Sequence, residues 1–298
     1  MAKIAALLLA LPAGAALAQD HAPLRPATAE EQQARAAVAI ADYRYGDLLW
    51  ENDRIAFRIY SRALEKAEPP SSSGIDAWGK RVRWPYMDRQ LRTGDQHADH
   101  GEGLDFYNVG TGRGIGGLGI WHDNKLWTSR NYVRPRIASA GPQVADFTVD
   151  YEAWPVDVAR TVSETRRFTL PAGSNFTRMV STLSSNRAGP LIVGIGISKR
   201  PIPPGQLGKV VKDEKRARLT WWGPTDPAKG TMAGAVMVDP RAFAGFAEDA
   251  DNYLILVRVA PGKPFVYYAG AAWDRSADFT TREGWQAYVD GQRPDFTP

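Results

Sequence analysis

The fold class is decided by residues 145–184, ADFTVDYEAWPVDVARTVSETRRFTLPAGSNFTRMVSTLS. In Ala145–Glu152, the apolar residues Phe147, Val149 and Tyr151 recur at every second position and fall on one face of an extended chain. Arg160–Leu170 alternates in the same way, Pro171-Ala-Gly-Ser174 reads as a turn, and Asn175–Ser184 as its hairpin partner. A helix would place its apolar residues three and four apart.

The pattern extends in both directions. Upstream, Arg54–Tyr60 puts Ile55, Phe57 and Ile59 on one face, after a turn-like entry over residues 46–52. Downstream, Leu191–Ser198 is almost continuously apolar, as in a strand buried on both faces. Leu219–Trp222, Ala233–Val238, Tyr253–Ala260 and Phe265–Trp273 add further strands, and the basic Lys209–Arg218 segment reads as a solvated hairpin. Loops are expected at Pro69–Gly74 and Pro201–Gly208. Helix signals occur only near the ends. Thr28 and Glu31 have capping-box spacing ahead of a run rich in helix formers, and Thr280 and Glu283 repeat it ahead of Trp285, Tyr288 and Val289. The expectation is an all-β chain, a large antiparallel two-sheet β-sandwich of roughly ten to fourteen strands, with short helices at residues 28–41 and 280–289.

The 298 residues include no cysteine, which excludes disulfides, thiolate chemistry and cysteine–zinc sites. The formal charge of +4 is spread along the chain without a basic stripe, so no nucleic-acid partner is expected. Residues 1–18 read as a signal peptide: Lys3, an apolar run, then Ala16-Leu17-Ala18 as the cleavage site. The mature chain is expected to be periplasmic or secreted, and no later apolar run is long enough for a membrane span. Residues 19–45 then form an N-terminal helical extension and 46–298 a single β-sandwich domain.

The chemistry concentrates between Gly74 and Pro142, which holds His97, His100 and His122 of the chain's four histidines, with Trp78, Trp84, Trp121 and Trp127. In His97-Ala-Asp-His100-Gly-Glu102, two imidazoles and two carboxylates crowd into six residues. They suit a proton-transfer pair, since free imidazole titrates near pH ~6.5. They also suit a divalent-metal site with His97, His100 and His122 as ligands, or a hydrogen-bonded structural loop. The spacing matches no standard zinc motif. Gly112-Arg-Gly114-Ile-Gly-Gly117 has the form G-x-G-x-x-G, but a strand follows it and no helix, so it does not bind a dinucleotide. Asp76, Trp78 and Lys80 alternate onto one face as a sugar subsite, and Trp78 could equally be core. Tyr132, Arg134 and Arg136 do the same, and guanidinium forks grip carboxylates.

Several segments together resemble the bacterial family DUF4861, a domain of unknown function. They are Glu51–Tyr60, Ser73–Lys80, Asp99–Tyr107 with Val109-Gly110, Gly116–Trp121, Asn131-Tyr132, Gly141-Pro142 and Tyr268–Asp274. The resemblance implies a galactose-mutarotase-like supersandwich and a place beside secreted enzymes that degrade uronic-acid polysaccharides. It points to an acidic oligosaccharide or polysaccharide as partner; on such a substrate the histidines, tyrosines and Arg134 suit acid/base chemistry of the lyase type. A glycoside hydrolase using Glu102 and Asp105, a mutarotase or epimerase, and a non-catalytic glycan-binding protein remain open. The candidates for catalysis are His97, His100, Glu102, Asp105, Tyr107, His122 and Tyr132. Those for substrate binding are Asp76, Trp78, Lys80, Trp121, Arg134 and Arg136.

Overall fold

The computed structural model describes residues 21–199 and 205–298; the signal-peptide reading and the first half of the Pro201–Gly208 loop lie outside them. In chain order the strands begin with β1 (Ala36–Ala41), β2 (Asp47–Asn52), β3 (Ala56–Ile59), β4 (Asp76–Lys80), β5 (Gly103–Leu104) and β6 (Ile115–His122). Next come β7 (Lys125–Trp127), β8 (Val133–Ala140), β9 (Val144–Pro155), β10 (Thr161–Pro171), β11 (Phe176–Ser185) and β12 (Leu191–Ser198). The last are β13 (Lys209–Asp213), β14 (Arg218–Trp222), β15 (Met232–Val238), β16 (Phe243–Glu248), β17 (Asn252–Val259) and β18 (Pro264–Trp273). They form three sheets, in the orders β1-β2-β3-β4-β5, β13-β14-β15-β18-β11-β10-β9-β8 and β16-β17-β12-β6-β7. Every strand pairing within them is antiparallel.

The two five-stranded sheets lie side by side, joined by a parallel bridge between Ile75 and Gly114, and both pack on one face of the eight-stranded sheet. That face is built by alternation: Phe147 lies opposite Phe168, Phe168 opposite Met179, and Met179 opposite Tyr267. Against it the first sheet sets Trp50, whose ring meets Phe57 at 5.3 Å and Phe147 and Phe168 at 5.2 Å, and whose Nε1 donates to Thr177 Oγ1 at 3.1 Å. The third sheet makes its own contact, with Tyr267 OH donating to Gly116 O at 2.9 Å. Gly114 sits at the seam with φ +60°, and a Cβ there would lie 1.8 Å from Ile75 O. The glycines of that motif permit close backbone packing and lead into β6.

The helix α3 (Arg282–Gly291) covers the outer face of the eight-stranded sheet with the buried Trp285 and Val289. Thr281 caps it, one residue after the expected Thr280. At the other end, the Thr28–Glu31 capping box forms, but the helix α1 (Ala29–Gln33) is one turn long. The helix expected through residue 41 is replaced by β1, paired with β2 from Ala36–Asn52 to Ala41–Asp47. Alanine's helix preference is worth only tenths of a kcal/mol per residue, and Val38 and Ile40 gain more from a sheet partner. The turn-like entry at 46–52 is mostly β2 itself, which is buried on both faces and so shows no alternation.

Candidate active site

The face of the first sheet turned away from the sandwich core carries charge. β2 contributes Asp47 and Glu51, β3 contributes Arg58, and β4 contributes Asp76 and Lys80, with Arg58 directly opposite Asp76. Residues 81–105 fold over this face. Tyr86, with Met87 and Leu91 of helix α2 (Met87–Leu91), packs on Leu49, Ala56 and Trp78 and removes the charges from water.

One cluster centres on Arg58. Its Nη2 donates to Asp76 Oδ2 and Asp105 Oδ2, each at 2.7 Å, and its Nη1 lies 3.8 Å from Asp47 Oδ2. Exposures are 0% for Asp47, 5% for Arg58, 1% for Asp76 and 3% for Asp105, so three carboxylates share one cation in a dry setting. Such a group holds on to protons. Burial first, and then the charge of Asp105, push the Asp76 carboxyl up to about 7 against the pull of Arg58. Burial likewise pushes Asp47 up to about 6. Asp76 Oδ2 accepts from Arg58 Nε at 3.1 Å, Trp78 Nε1 at 2.9 Å and Tyr60 OH at 3.2 Å, besides Arg58 Nη2. Asp76 Oδ1 has no partner and is the atom free to carry a proton.

The cluster opens on a cavity of about 380 Å³ whose wall includes Arg58, Tyr60, His97, Asp105, Phe106 and Lys229. Asp76 reaches it through the Tyr60 hydroxyl. His97 stands at the wall with Nδ1 3.0 Å from the Asp105 carbonyl oxygen and 3.6 Å from its Oδ2. A carbonyl only accepts, so Nδ1 carries the hydrogen. Nε2, 3.2 Å from Gln96 Nε2, is left as the basic nitrogen. Tyr60, Asp76, Asp105 and His97 can therefore hold and pass protons beside a space large enough for a sugar unit.

A second cluster pairs Lys80 with Glu51 and Arg89 with Glu102 and holds the cover down. Lys80 Nζ donates to Glu51 Oε2 at 2.5 Å and Trp84 O at 2.6 Å, while Glu51 Oε1 accepts from the Tyr86 and Met87 amides at 2.9 and 2.8 Å. Arg89 Nη2 and Trp84 Nε1 donate to Glu102 at 2.5 and 3.3 Å.

The sequence candidates divide accordingly. His97, Asp105, Asp76 and Trp78 meet at the first cluster, with Trp78 fully buried behind Asp76. Tyr107 lines the same cavity, buried edge-on to Trp221 at 5.8 Å. Lys80 and Glu102 belong to the second cluster. His100 is held in the loop, with Nε2 3.2 Å from Asp95 O. His122 ends β6 beside Asp123 and Asp157, and the half-buried Trp121 precedes it. Tyr132 is buried and donates to Gly46 O at 2.5 Å. Arg134 and Arg136 both pair with Asp150 on the exposed surface of β8 and β9. Two expectations are corrected here. The three histidines do not converge as metal ligands, and among the described residues no group of three or more His, Asp or Glu is arranged to hold a metal ion. Nor do the catalytic candidates gather at one cavity: of His97, His100, Glu102 and His122, only His97 reaches its wall. The cover turns His100 and Glu102 toward their own loop partners.

Arg58, Tyr60, Asp47 and Lys229 escaped the sequence reading. The available signal was Arg58 and Tyr60, which alternate with the apolar Phe57 and Ile59 and so had to lie together on the opposite face.

The chain matches the family described as "Domain of unknown function (DUF4861)" over residues 14–297. It is 30% identical over 262 residues to "Uncharacterized protein P7" of Formosa agariphila, covering 83% of this chain and 64% of that one. It thus spans less than two thirds of that relative. Among solved structures, the galactosidase domain of alpha-galactosidase-sucrose kinase AgaSK aligns with a TM-score of 0.39 and 8% identity, over 80% of this chain and 42% of that one. The near-complete family match, falling on the segments that build both clusters, makes the chain a member of the DUF4861 family.

Proposed function

We propose that the protein is an exported carbohydrate-active enzyme that performs proton-transfer chemistry on acidic saccharides, of the β-elimination type, in the cavity beside Arg58. The observation that carries this reading is the buried Asp76 carboxyl, poised near neutrality and hydrogen-bonded through Tyr60 to a sugar-sized space. In elimination a base removes the proton next to the uronate carboxylate. The bond to the leaving oxygen breaks, a carbon–carbon double bond forms, and the leaving oxygen takes a proton. His97, with Nε2 basic, suits the first task, and Tyr60 backed by Asp76 suits the last. Export rests on the signal-peptide reading of residues 1–18.

The test is incubation with a panel of uronic-acid oligosaccharides, following the unsaturated product by ultraviolet absorbance and by mass. Turnover that falls about 10²–10⁴-fold in His97→Ala and in Tyr60→Phe supports the reading. Full turnover in both variants sinks it. Tight binding without turnover on any substrate favours the glycan-binding alternative. For export, N-terminal sequencing of the periplasmic or secreted fraction should begin at Gln19, and material beginning at Met1 would refute it.

A further inference from the structure

The strand β18 ends at Trp273, and the residues there lie outside both charge clusters. They do one clear thing. Trp273, Asp274 and Arg275 grip the turn that joins β14 to β15. Trp273 Nε1 donates to Lys229 O at 2.8 Å, and Asp274 Oδ1 accepts from the Thr231 amide at 2.8 Å. Arg275 donates through Nη2 to Pro227 O at 3.1 Å and through Nη1 to Ala228 O. From inside the turn, Asp226 Oδ1 accepts from the Lys229 amide at 2.9 Å, and the Asp226 and Gly230 backbones bond to each other both ways at 2.8 and 2.9 Å. Gly230 has φ +89°, and a Cβ there would lie 2.3 Å from Asp274 Oδ1, so the turn closes only around glycine. Trp273 is fully buried and its ring lies 6.1 Å from Phe106, a residue of the cavity wall.

The residue this turn presents is Lys229, which comes from the eight-stranded sheet and lines the cavity formed mainly by the first sheet and its cover. The other cations of that wall are committed: Arg58 to Asp76 and Asp105, and Arg44 to Glu68. Among the described residues, Lys229 has no carboxylate partner. It is half-buried, and the backbone that carries it is hydrogen-bonded at six consecutive residues, 226–231. An uncommitted lysine on a held backbone, lining a polar cavity, is a receptor for an anionic group, because ligand charge then meets no competing carboxylate.

We infer that Lys229 is the specificity-determining residue that reads the anionic substituent of the saccharide, a carboxylate or a sulfate ester, and that Trp273, Asp274 and Arg275 are its positioning residues. The assignment rests on the proposed use of this cavity for acidic sugars, and binding tests it apart from turnover. Glucuronate, glucose 6-sulfate and glucose are titrated into the full chain, and into Lys229→Ala, Lys229→Arg and Asp274→Asn, by calorimetry or by amide shifts. The expected result is binding of at least one anionic sugar and a loss of about tenfold or more in Lys229→Ala, the scale of one charge-assisted contact. Lys229→Arg should retain most of the affinity. Asp274→Asn, which keeps an acceptor oxygen for Thr231, should fall between. Glucose binding should be unchanged throughout. Preference for glucuronate identifies a carboxylate reader, and preference for the 6-sulfate a sulfate reader. Equal affinity of wild type and Lys229→Ala for both anionic sugars overturns the inference, as does binding of neither by the wild type. Anion binding that depends on Lys229 in a protein that turns over no saccharide sinks the proposed enzyme and leaves the inference standing.

Discussion

Replacing Arg58 by leucine tests the account of the charge cluster directly. The side chain is 5% exposed and makes hydrogen bonds to Asp76, Asp105 and Tyr60. Its loss leaves three buried carboxylates with no cation among them. Removing one partner of a buried ion pair costs about 3–5 kcal/mol. Unfolding entropy of about 2.1 cal/mol/K per residue gives roughly 0.6 kcal/mol/K for this chain, so the melting temperature should fall by about 5–8 °C near neutral pH. The loss must also depend on pH. Asp76 and Asp47 both titrate higher in the folded protein than in the unfolded chain, at about 7 and about 6. The folded state therefore binds more protons between about pH 4 and 7, and wild-type stability declines as pH rises through that window. Without Arg58 the ionised carboxylates lose their stabilising neighbour, their titration moves higher still, and the decline steepens. Urea unfolding at about pH 4.5 and about pH 8 should show a small deficit at the first and the full deficit at the second. Adding Asp76→Asn to the variant should recover part of it at the higher pH. An equal loss at both values, or a loss below about 1 kcal/mol at the higher one, would refute the reasoning.

Trp50→Ala should cost about 3–5 kcal/mol in chemical denaturation, because the ring fills the contact between the first and eight-stranded sheets; a loss under about 1 kcal/mol would contradict that role. Gly114→Ala should destabilise clearly more than Gly173→Ala. Both have positive φ, but only the first would press a Cβ against Ile75 O, so equal losses would mean that the seam yields. If the proposed turnover of an acidic oligosaccharide is found, Asp76→Asn should remove the pH-rate limb set near pH 7, and an unchanged profile would exclude Asp76 as the proton store.

The middle of the eight-stranded sheet was readable in the sequence because β9, β10 and β11 each have one buried and one wetter face, as in the alternating burial of Thr161–Pro171. The first sheet was harder. Asp47–Asn52 is buried throughout, so no period appears, and its carboxylates look like those of a surface turn. Ala36–Ala41 carries a helical composition overridden by pairing with β2. The site was legible only where chemistry clustered along the chain: His97 and Asp105 were visible, and Asp76 was placed in a subsite. Arg58 and Lys229 are 171 positions apart in sequence, and no local pattern connects them. What joins them is the stacking of two layers, which only the folded chain displays.

The cover over the charged face has a property that bears on how such a site can change. It is an excursion whose two ends are hydrogen-bonded neighbours: Lys80 pairs with Gly103, and the Arg81 amide donates to Glu102 O at 2.8 Å. A segment anchored in this way can be lengthened or rewritten without moving a strand of the sandwich, since doubling such a loop costs only about 0.6 kcal/mol in closure entropy. The carboxylates of β2 and β4, by contrast, cannot shift without breaking sheet register. The molecule thus separates a charged floor fixed by sheet register from a covering segment that carries His97, and the second can vary in length while the first stays in place.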